Sequence, residues 1–365
     1  MSASVLVTGY PGLRARFVVR ELLVGEPDTE IVALVHPGRR ADAELAREAL
    51  AGGERLRLLS GDPAAIDFGL GAARYRELAA SVRLVHHCYQ VLDRGAEPEV
   101  ALVVNVGGAR EMIELARVAT GLERIVHHSS VFVSGDRTGL VLEEELACGQ
   151  KFRSPVEESL AVAERMLRGH AHVPLSVVRA GEIVGDSRTG EIDRLQGVYP
   201  LWVFLASAPQ GATIPLPPRP DAFVHLVPID YVARAACFLG RSPQAHGETV
   251  HLIDGGALDA RRLVELSAAR FGQRVEPGLN AAAFGRALFG NAGVRLLVKN
   301  LRAVLDLITS TVDYDERNAR RLLAGSGIEC PPLEAYLDVL LEDVERRVRE
   351  RRLGEPRSEA CHAAG

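Results

Sequence analysis

Residues 4–25, SVLVTGYPGLRARFVVRELLVG, decide the fold. The short apolar run SVLVTGY (4–10) closes on a glycine turn, and LRARFVVRELLVG (13–25) then repeats apolar residues at helical spacing as far as Gly25. The chain therefore opens as a strand, a glycine turn and a helix.

The same alternation continues outward. EIVALVH (30–36), RLRLLS (55–60), VRLVHHC (82–88), RIVHHSSVFV (124–133) and LSVVRA (175–180) are further β-branched runs, and ADAELAREAL (41–50) and VNVGGAREMIELARVA (104–119) are helical patterns between them. Strands alternating with helices predict a parallel, doubly wound α/β sheet, because each crossover lays a helix on the sheet. Past residue 180, GDSRTGEIDRLQGVYP (185–200) and PQGATIPLPPRPDA (209–222) read as loops. HLVPIDYVARAACFLG (225–240) and ETVHLID (248–254) return to core texture, and 258–351 reads as almost wholly helical. The expected architecture is a Rossmann-like core of residues 1–184 plus 222–254. A smaller, mostly helical substrate-binding cap of 185–221 plus 255–352 and a flexible tail, 353–365, complete it.

The 365 residues suffice for a core with a cap, and a net charge of −5 with a pI near 6.2 excludes a general nucleic-acid binder. No window has the ~18 uninterrupted apolar residues of a membrane span, and MSASVLVTGY reads as a strand rather than a leader, so a cytoplasmic protein is expected. Five scattered cysteines without CxxC pairing fit reduced thiols.

Within TGYPGLRA (8–15), Gly9 permits the tight turn and Gly12 lets backbone amides approach a pyrophosphate at the positive helix end. Thr8, Tyr10 and Leu13 complete the expected contact set. Ala15 stands where a third glycine is usual. The second strand ends in LVHPGRR with no acid for a ribose 2′-hydroxyl, whereas Arg39 and Arg40 suit a 2′-phosphate, so NADP(H) is expected over NAD. The alternative is two solvated arginines at a loop tip.

Taken with GDPAAIDFGLGAARYRELAASVRLVHHC (61–88), VNVGGAREMIELA (104–116), HHSSVFVSG (127–135), VVRAGEIVGDSRTGE (177–191) and YDERNARRLLAGSGIECPPLEAYL (314–337), the glycine turn makes the chain resemble the extended short-chain dehydrogenase/reductases. Within them it is most similar to the thioester reductase and fatty acyl-CoA reductase branch. The resemblance implies Asp62 near an adenine, His36, Arg39 or Arg40 near a 2′-phosphate, Asn105 at a helix start and Ser130 as the hydroxyl-bearing catalytic residue. It also implies a substrate carried on coenzyme A or an acyl-carrier protein.

The resemblance further calls for a tyrosine and a lysine four residues apart. Counted back from Ala163-Glu164 in FRSPVEESLAVAERML (152–167), these positions hold Val156 and Leu160. Carbonyl reduction needs a proton donor of tuned pKa, a role tyrosine fills beside a cation, and valine and leucine supply neither. No tyrosine lies between Tyr89 and Tyr199, and the chain's lysines are Lys151 and Lys299. Val156, Leu160, Ala163 and Leu167 form one apolar stripe, a packing surface either in the cleft or between the subunits of a homodimer. Two more departures are Tyr89-Gln90 where small residues are usual beside the cofactor, and Ala180 in place of a proline.

His86, His87, His127 and His128 end two neighbouring strands. Alternation lets at most two or three converge, so satisfied core histidines are favoured over a metal site. His128 and Ser130 share a face and could form an acyl-transfer pair. Three readings follow. In the leading one the enzyme handles an acyl thioester or β-dicarbonyl without redox, by cyclising condensation, elimination or hydrolysis. In the second it is an NADPH-dependent reductase with Ser130, Tyr89 or Tyr199 as displaced proton donor. In the third it is a non-catalytic NADP-sensing or interaction protein.

Overall fold

The computed structural model describes residues 3–217, 219–256, 258–276 and 305–352. Its centre is a seven-stranded sheet, all parallel. In chain order the first elements are β1 (Ser4–Thr8), α1 (Leu13–Gly25), β2 (Glu30–Val35), α2 (Arg40–Glu48), β3 (Leu56–Ser60), α3 (Ala72–Ser81) and β4 (Val82–His87). There follow α4 (Pro98–Ala101), which runs through a π-helical stretch, Leu102–Gly107, into α5 (Gly108–Val118), then β5 (Arg124–Ser130), β6 (Gly139–Val141), α6 (Pro155–Arg168), β7 (Leu175–Ala180) and β8 (Glu182–Val184). The remainder comprises α7 (Tyr199–Ser207), β9 (Thr213–Pro215), β10 (Phe223–Val224), β11 (Leu226–Pro228), α8 (Ile229–Arg241), β12 (Thr249–Leu252), β13 (Leu258–Asp259), α9 (Ala260–Arg270), β14 (Arg274–Glu276), β15 (Val312–Tyr314), α10 (Arg317–Leu323) and α11 (Leu337–Arg352).

The sheet order is β12-β7-β5-β4-β1-β2-β3, so the winding reverses between β1 and β4. Both faces are covered, which is why the strands read as continuous apolar runs. Val5 and Val7 face α1, α8 and α10, while Leu6 faces α3, α5 and α6. A second apolar cluster is built from α7, α9 and α11 with Leu226 and Ile308.

Residues 258–276 and 305–352 contain β13, β14 and β15 as well as helices, a correction to the wholly helical expectation. β15 is three residues long and pairs with β6, and a strand so short carries no periodicity of its own. Residues 277–304 of that stretch lie outside the described residues. Helix α7, within and beyond a predicted loop, is apolar all round because it is buried all round, so it lacks an amphipathic signature.

One buried ion pair ties α6 to the sheet. Glu164 receives Arg179 Nη2 at 2.7 Å and Nε at 3.0 Å, Ser129 Oγ at 3.0 Å and Arg168 at 2.7 Å. Burial alone would raise this carboxyl, but Arg179 and, beyond it, Arg168 hold it down at about 2. Arg179→Met removes the fully buried partner and its two hydrogen bonds, leaving that carboxylate with the more exposed Arg168 and Ser129. The expected loss is about 3–5 kcal/mol, read as a Tm decrease on the order of 10 °C by calorimetry.

Candidate functional site

The crevice lies at the C-terminal ends of β1, β4 and β5, at the winding reversal, where open α/β sheets bind ligands. Its floor is close-packed. Gly9 has φ +83°, and a Cβ there would sit 2.9 Å from the Cys88 carbonyl and the Tyr89 amide nitrogen. The Thr8 hydroxyl accepts the Cys88 and Tyr89 amides at 3.1 Å each and meets His87 Nδ1 at 3.0 Å. The Gly12 amide donates to the Gly9 carbonyl at 2.8 Å, and Gly12 caps α1 in an extended conformation, with no side-chain cap and no acid in the first turn. Tyr10 is buried beside Gly9, and Leu13 packs against the same cluster as α1. Uncapped amides at a positive helix end fit a pyrophosphate.

GDSRTGE is tied to α1 by ion pairs from Glu191 to Arg16 and Arg20. Asp186 Oδ1 accepts the Arg188 and Thr189 amides, and Ser187 is held by Asp230 at 2.9–3.0 Å. Glu191 and Asp193 each pair with Arg16 at 2.8 Å, while Arg16 also donates to the Pro11 carbonyl at 2.9 Å.

Toward β2, His36 accepts the Gly38 amide on its own Nδ1. Arg39 pairs with Asp42 at 2.7 Å, and Arg40 pairs with Glu44 and donates to the Leu58 carbonyl at 3.0 Å. Both arginines are half-buried, and their local carboxylate partners are ones a phosphate would displace. Asp62 caps the Ala64 amide at 2.9 Å. Burial and the hydrogen-bonded Asp62 carboxylate push the Tyr89 phenol up to about 12, which makes it a poorer acid than free tyrosine.

On the β5 side, Val156 and Leu160 are each 1% exposed, inside a closed apolar cluster with Ala101, Val133, Leu146 and Ala161. The packing surface left open by the sequence thus faces the chain's own segments. Asn105 buttresses it, exchanging two hydrogen bonds with the Val91 backbone at 2.8 and 3.1 Å and donating to Ser159 Oγ at 2.9 Å. Tyr199 is buried in the apolar cluster of α7, α9 and α11, where its hydroxyl accepts the Gly185 amide at 2.8 Å and burial drives its pKa upward.

The four strand-end histidines divide two and two. His86 meets His128 at 3.2 Å on the α8 face, and His87 stacks on His127 on the α5 face. Burial lowers all four, to about 3 for His86 and about 4 for His127, so they are neutral. His128 is therefore engaged with His86, and Ser130 instead donates to the Ala180 carbonyl at 3.5 Å and accepts the Phe132 amide at 3.3 Å. The proposed Ser-His pair is not brought together. Among the described residues no group of three or more histidine, cysteine or acidic side chains has a metal-holding arrangement.

Sequence reasoning missed three side chains here. Arg14 is 9% exposed and spans from α1 to the end of β5, donating to the His128 carbonyl at 2.9 Å and Gln90 Oε1 at 3.4 Å. Glu182 and Arg94 line a small cavity of about 20 Å³ beside Val131 and Phe132, with Arg153 and His225. Burial raises the Glu182 carboxyl and Arg94 opposes that rise. The Arg94 guanidinium lies 4.5 Å over the Phe132 ring and 3.8 Å from Glu157. The available signal was a charge flanked by apolar or small residues: Arg14 between Leu13 and Ala15, Glu182 between Gly181 and Ile183.

Among the described residues no helix is long and apolar enough to cross a membrane. The model of an NAD-binding family described as Male sterility protein matches residues 7–236. A linear gramicidin synthase of Brevibacillus parabrevis is 26% identical over 361 residues, covering 91% of this chain, which spans 7% of that relative's length. An alcohol-forming fatty acyl-CoA reductase of Simmondsia chinensis is 22% identical over 188 residues, 45% of this chain and 38% of the relative. The crystal structure of the terminal R domain from the myxalamid PKS-NRPS biosynthetic pathway shares the fold with a TM-score of 0.79. It is 22% identical and covers 95% of this chain and 91% of that one. Together with the glycine turn at the winding reversal, the match over residues 7–236 establishes that the chain belongs to the Male sterility protein family of NAD-binding domains.

Proposed function

We propose that the chain acts on an acyl thioester or β-dicarbonyl substrate without hydride transfer, by cyclising condensation, elimination or hydrolysis. The observation that carries this reading is the closed apolar packing of Val156 and Leu160, which leaves neither a phenol nor an ammonium where the family resemblance expects them. Two of the three displaced donors of a reductase reading are engaged elsewhere, Tyr89 with Asp62 and Tyr199 with Gly185.

The chemistry is assigned to Glu182 and Arg94, which line the small cavity beside Val131 and Phe132. Glu182, made more basic by burial, takes the proton α to the carbonyl, and Arg94 stabilises the resulting oxyanion. In a condensation the enolate carbon bonds to the thioester carbonyl carbon and the thiolate leaves, taking up the proton, with no change of oxidation state overall. The substrate is borne by coenzyme A or an acyl-carrier protein, and residues 185–221 with 255–352 cap it, on a core of 1–184 plus 222–254. A bound dinucleotide, NADP(H) in this proposal, would be held by Gly9, Gly12, Arg39 and Arg40, and its chemical capacity is hydride donation.

Acyl-pantetheine and coenzyme A thioesters, with products followed by mass spectrometry, test this directly. Glu182→Gln is expected to lower kcat by about 10²–10⁴-fold with the Tm retained. Unchanged turnover in that variant removes Glu182 from the chemistry.

A further inference from the structure

We infer that Arg14 makes the β4–β5 half of the crevice a cationic subsite that admits a neutral or anionic group and rejects a positively charged one, so that the chain binds reduced dinucleotide and discriminates against the oxidised form. The inference rests on the dinucleotide site proposed above.

The placement follows from the topology. The end of β2, with His36, Arg39 and Arg40, marks the adenosine half of a doubly wound site, and the pyrophosphate belongs at the N-terminus of α1 between the two halves. Arg14 extends the other way, across β4 to the His128 carbonyl on β5. Its guanidinium is thus in the half that would receive the nicotinamide.

Its charge is unbalanced. Among the described residues Arg14 has two polar contacts, the neutral His128 carbonyl and the neutral Gln90 amide, and its Nε is buried without a partner. His127 and His128 are kept neutral by burial, and burial pushes the nearby Cys88 thiol up to about 12, so it is neutral too. A guanidinium keeps its proton in such surroundings. Taking an unpaired cation out of water is costly, and in a poorly screened crevice its field acts strongly on whatever ring lies above it. Oxidised nicotinamide carries a ring charge of one sign with Arg14, whereas reduced nicotinamide is neutral. Ring charge develops as hydride departs, so the same arginine also opposes reduction.

The test is calorimetric titration of the full chain with NADPH, NADP⁺ and 2′-phospho-ADP-ribose, which lacks the nicotinamide nucleoside. NADPH and 2′-phospho-ADP-ribose are expected to bind with similar Kd and NADP⁺ at least tenfold more weakly. Arg14→Met closes that gap and Arg14→Lys preserves it, with Arg14→Gln as the substitute if the methionine variant does not fold. Equal Kd for NADPH and NADP⁺, or a gap that survives loss of the charge, overturns the role of Arg14 alone. Failure of all three ligands to bind overturns the dinucleotide site and this inference with it.

Discussion

Leu160→Lys, which installs the residue the reductase resemblance calls for, is expected to destabilise the fold by about 4 kcal/mol or more and to restore no hydride transfer. Leu160 is 1% exposed and packs with Ala101, Val133, Leu146 and Val156. Lysine there would have to bury an ammonium among alkyl groups or give up its proton, and either outcome opposes folding. Adding Val156→Tyr worsens matters, because a phenol ring exceeds the space of an isopropyl group in a close-packed cluster. Urea unfolding reads the loss as a lower midpoint with an unchanged slope. A double variant as stable as the parent and active with NADPH would mean that the cleft is open and that only two side chains separate this chain from a reductase.

Acid is expected to unfold the protein well above the carboxylate range. His86 and His251 are lowered to about 3 and His127 to about 4, in each case first by burial, and His87 and His128 are also well below the ordinary value. For a base lowered in the folded state, the unfolded chain binds protons that the native one cannot take. Stability is therefore full above about pH 6.5 and falls as pH drops from there toward about 3. At pH 5 each such histidine costs about 2 kcal/mol, so two or three remove much of the ~5–15 kcal/mol typical of a folded domain. Buried carboxyls such as Glu143, raised to about 7, lean the other way and blunt the loss. A urea midpoint that declines steadily from pH 6.5 to 5, and declines less in His86→Phe/His128→Leu, is the expected record. A flat midpoint across that interval would show that these histidines are hydrated and titrate normally.

Where the fold was legible in the sequence, the reason is the parallel sheet. Strands buried on both faces read as near-continuous apolar runs, so LSVVRA and EIVALV stand out, and Gly9 is demanded by a turn where a Cβ would sit 2.9 Å from the Cys88–Tyr89 backbone. The stripe of Val156, Leu160, Ala163 and Leu167 was legible because helical spacing repeats it. Its neighbours were not, since Val156 and Leu160 pack with residues as distant as Ala101 and Leu146, while Ala163 and Leu167 pack in the cluster of α3, α5 and the sheet. The same limit explains the site. Spacing puts His128 and Ser130 on one strand face, but ring orientation sends His128 to His86. Arg14 and Glu182 acquire meaning only when the chain's return brings His128 to one and Arg94 to the other.

Chemistry without hydride is tested by following an acyl-pantetheine substrate and NADPH in the same reaction. Product is predicted to form at the same rate with and without NADPH while the cofactor's absorbance stays constant. One NADPH oxidised per acyl group converted, with aldehyde or alcohol as product, would contradict the account.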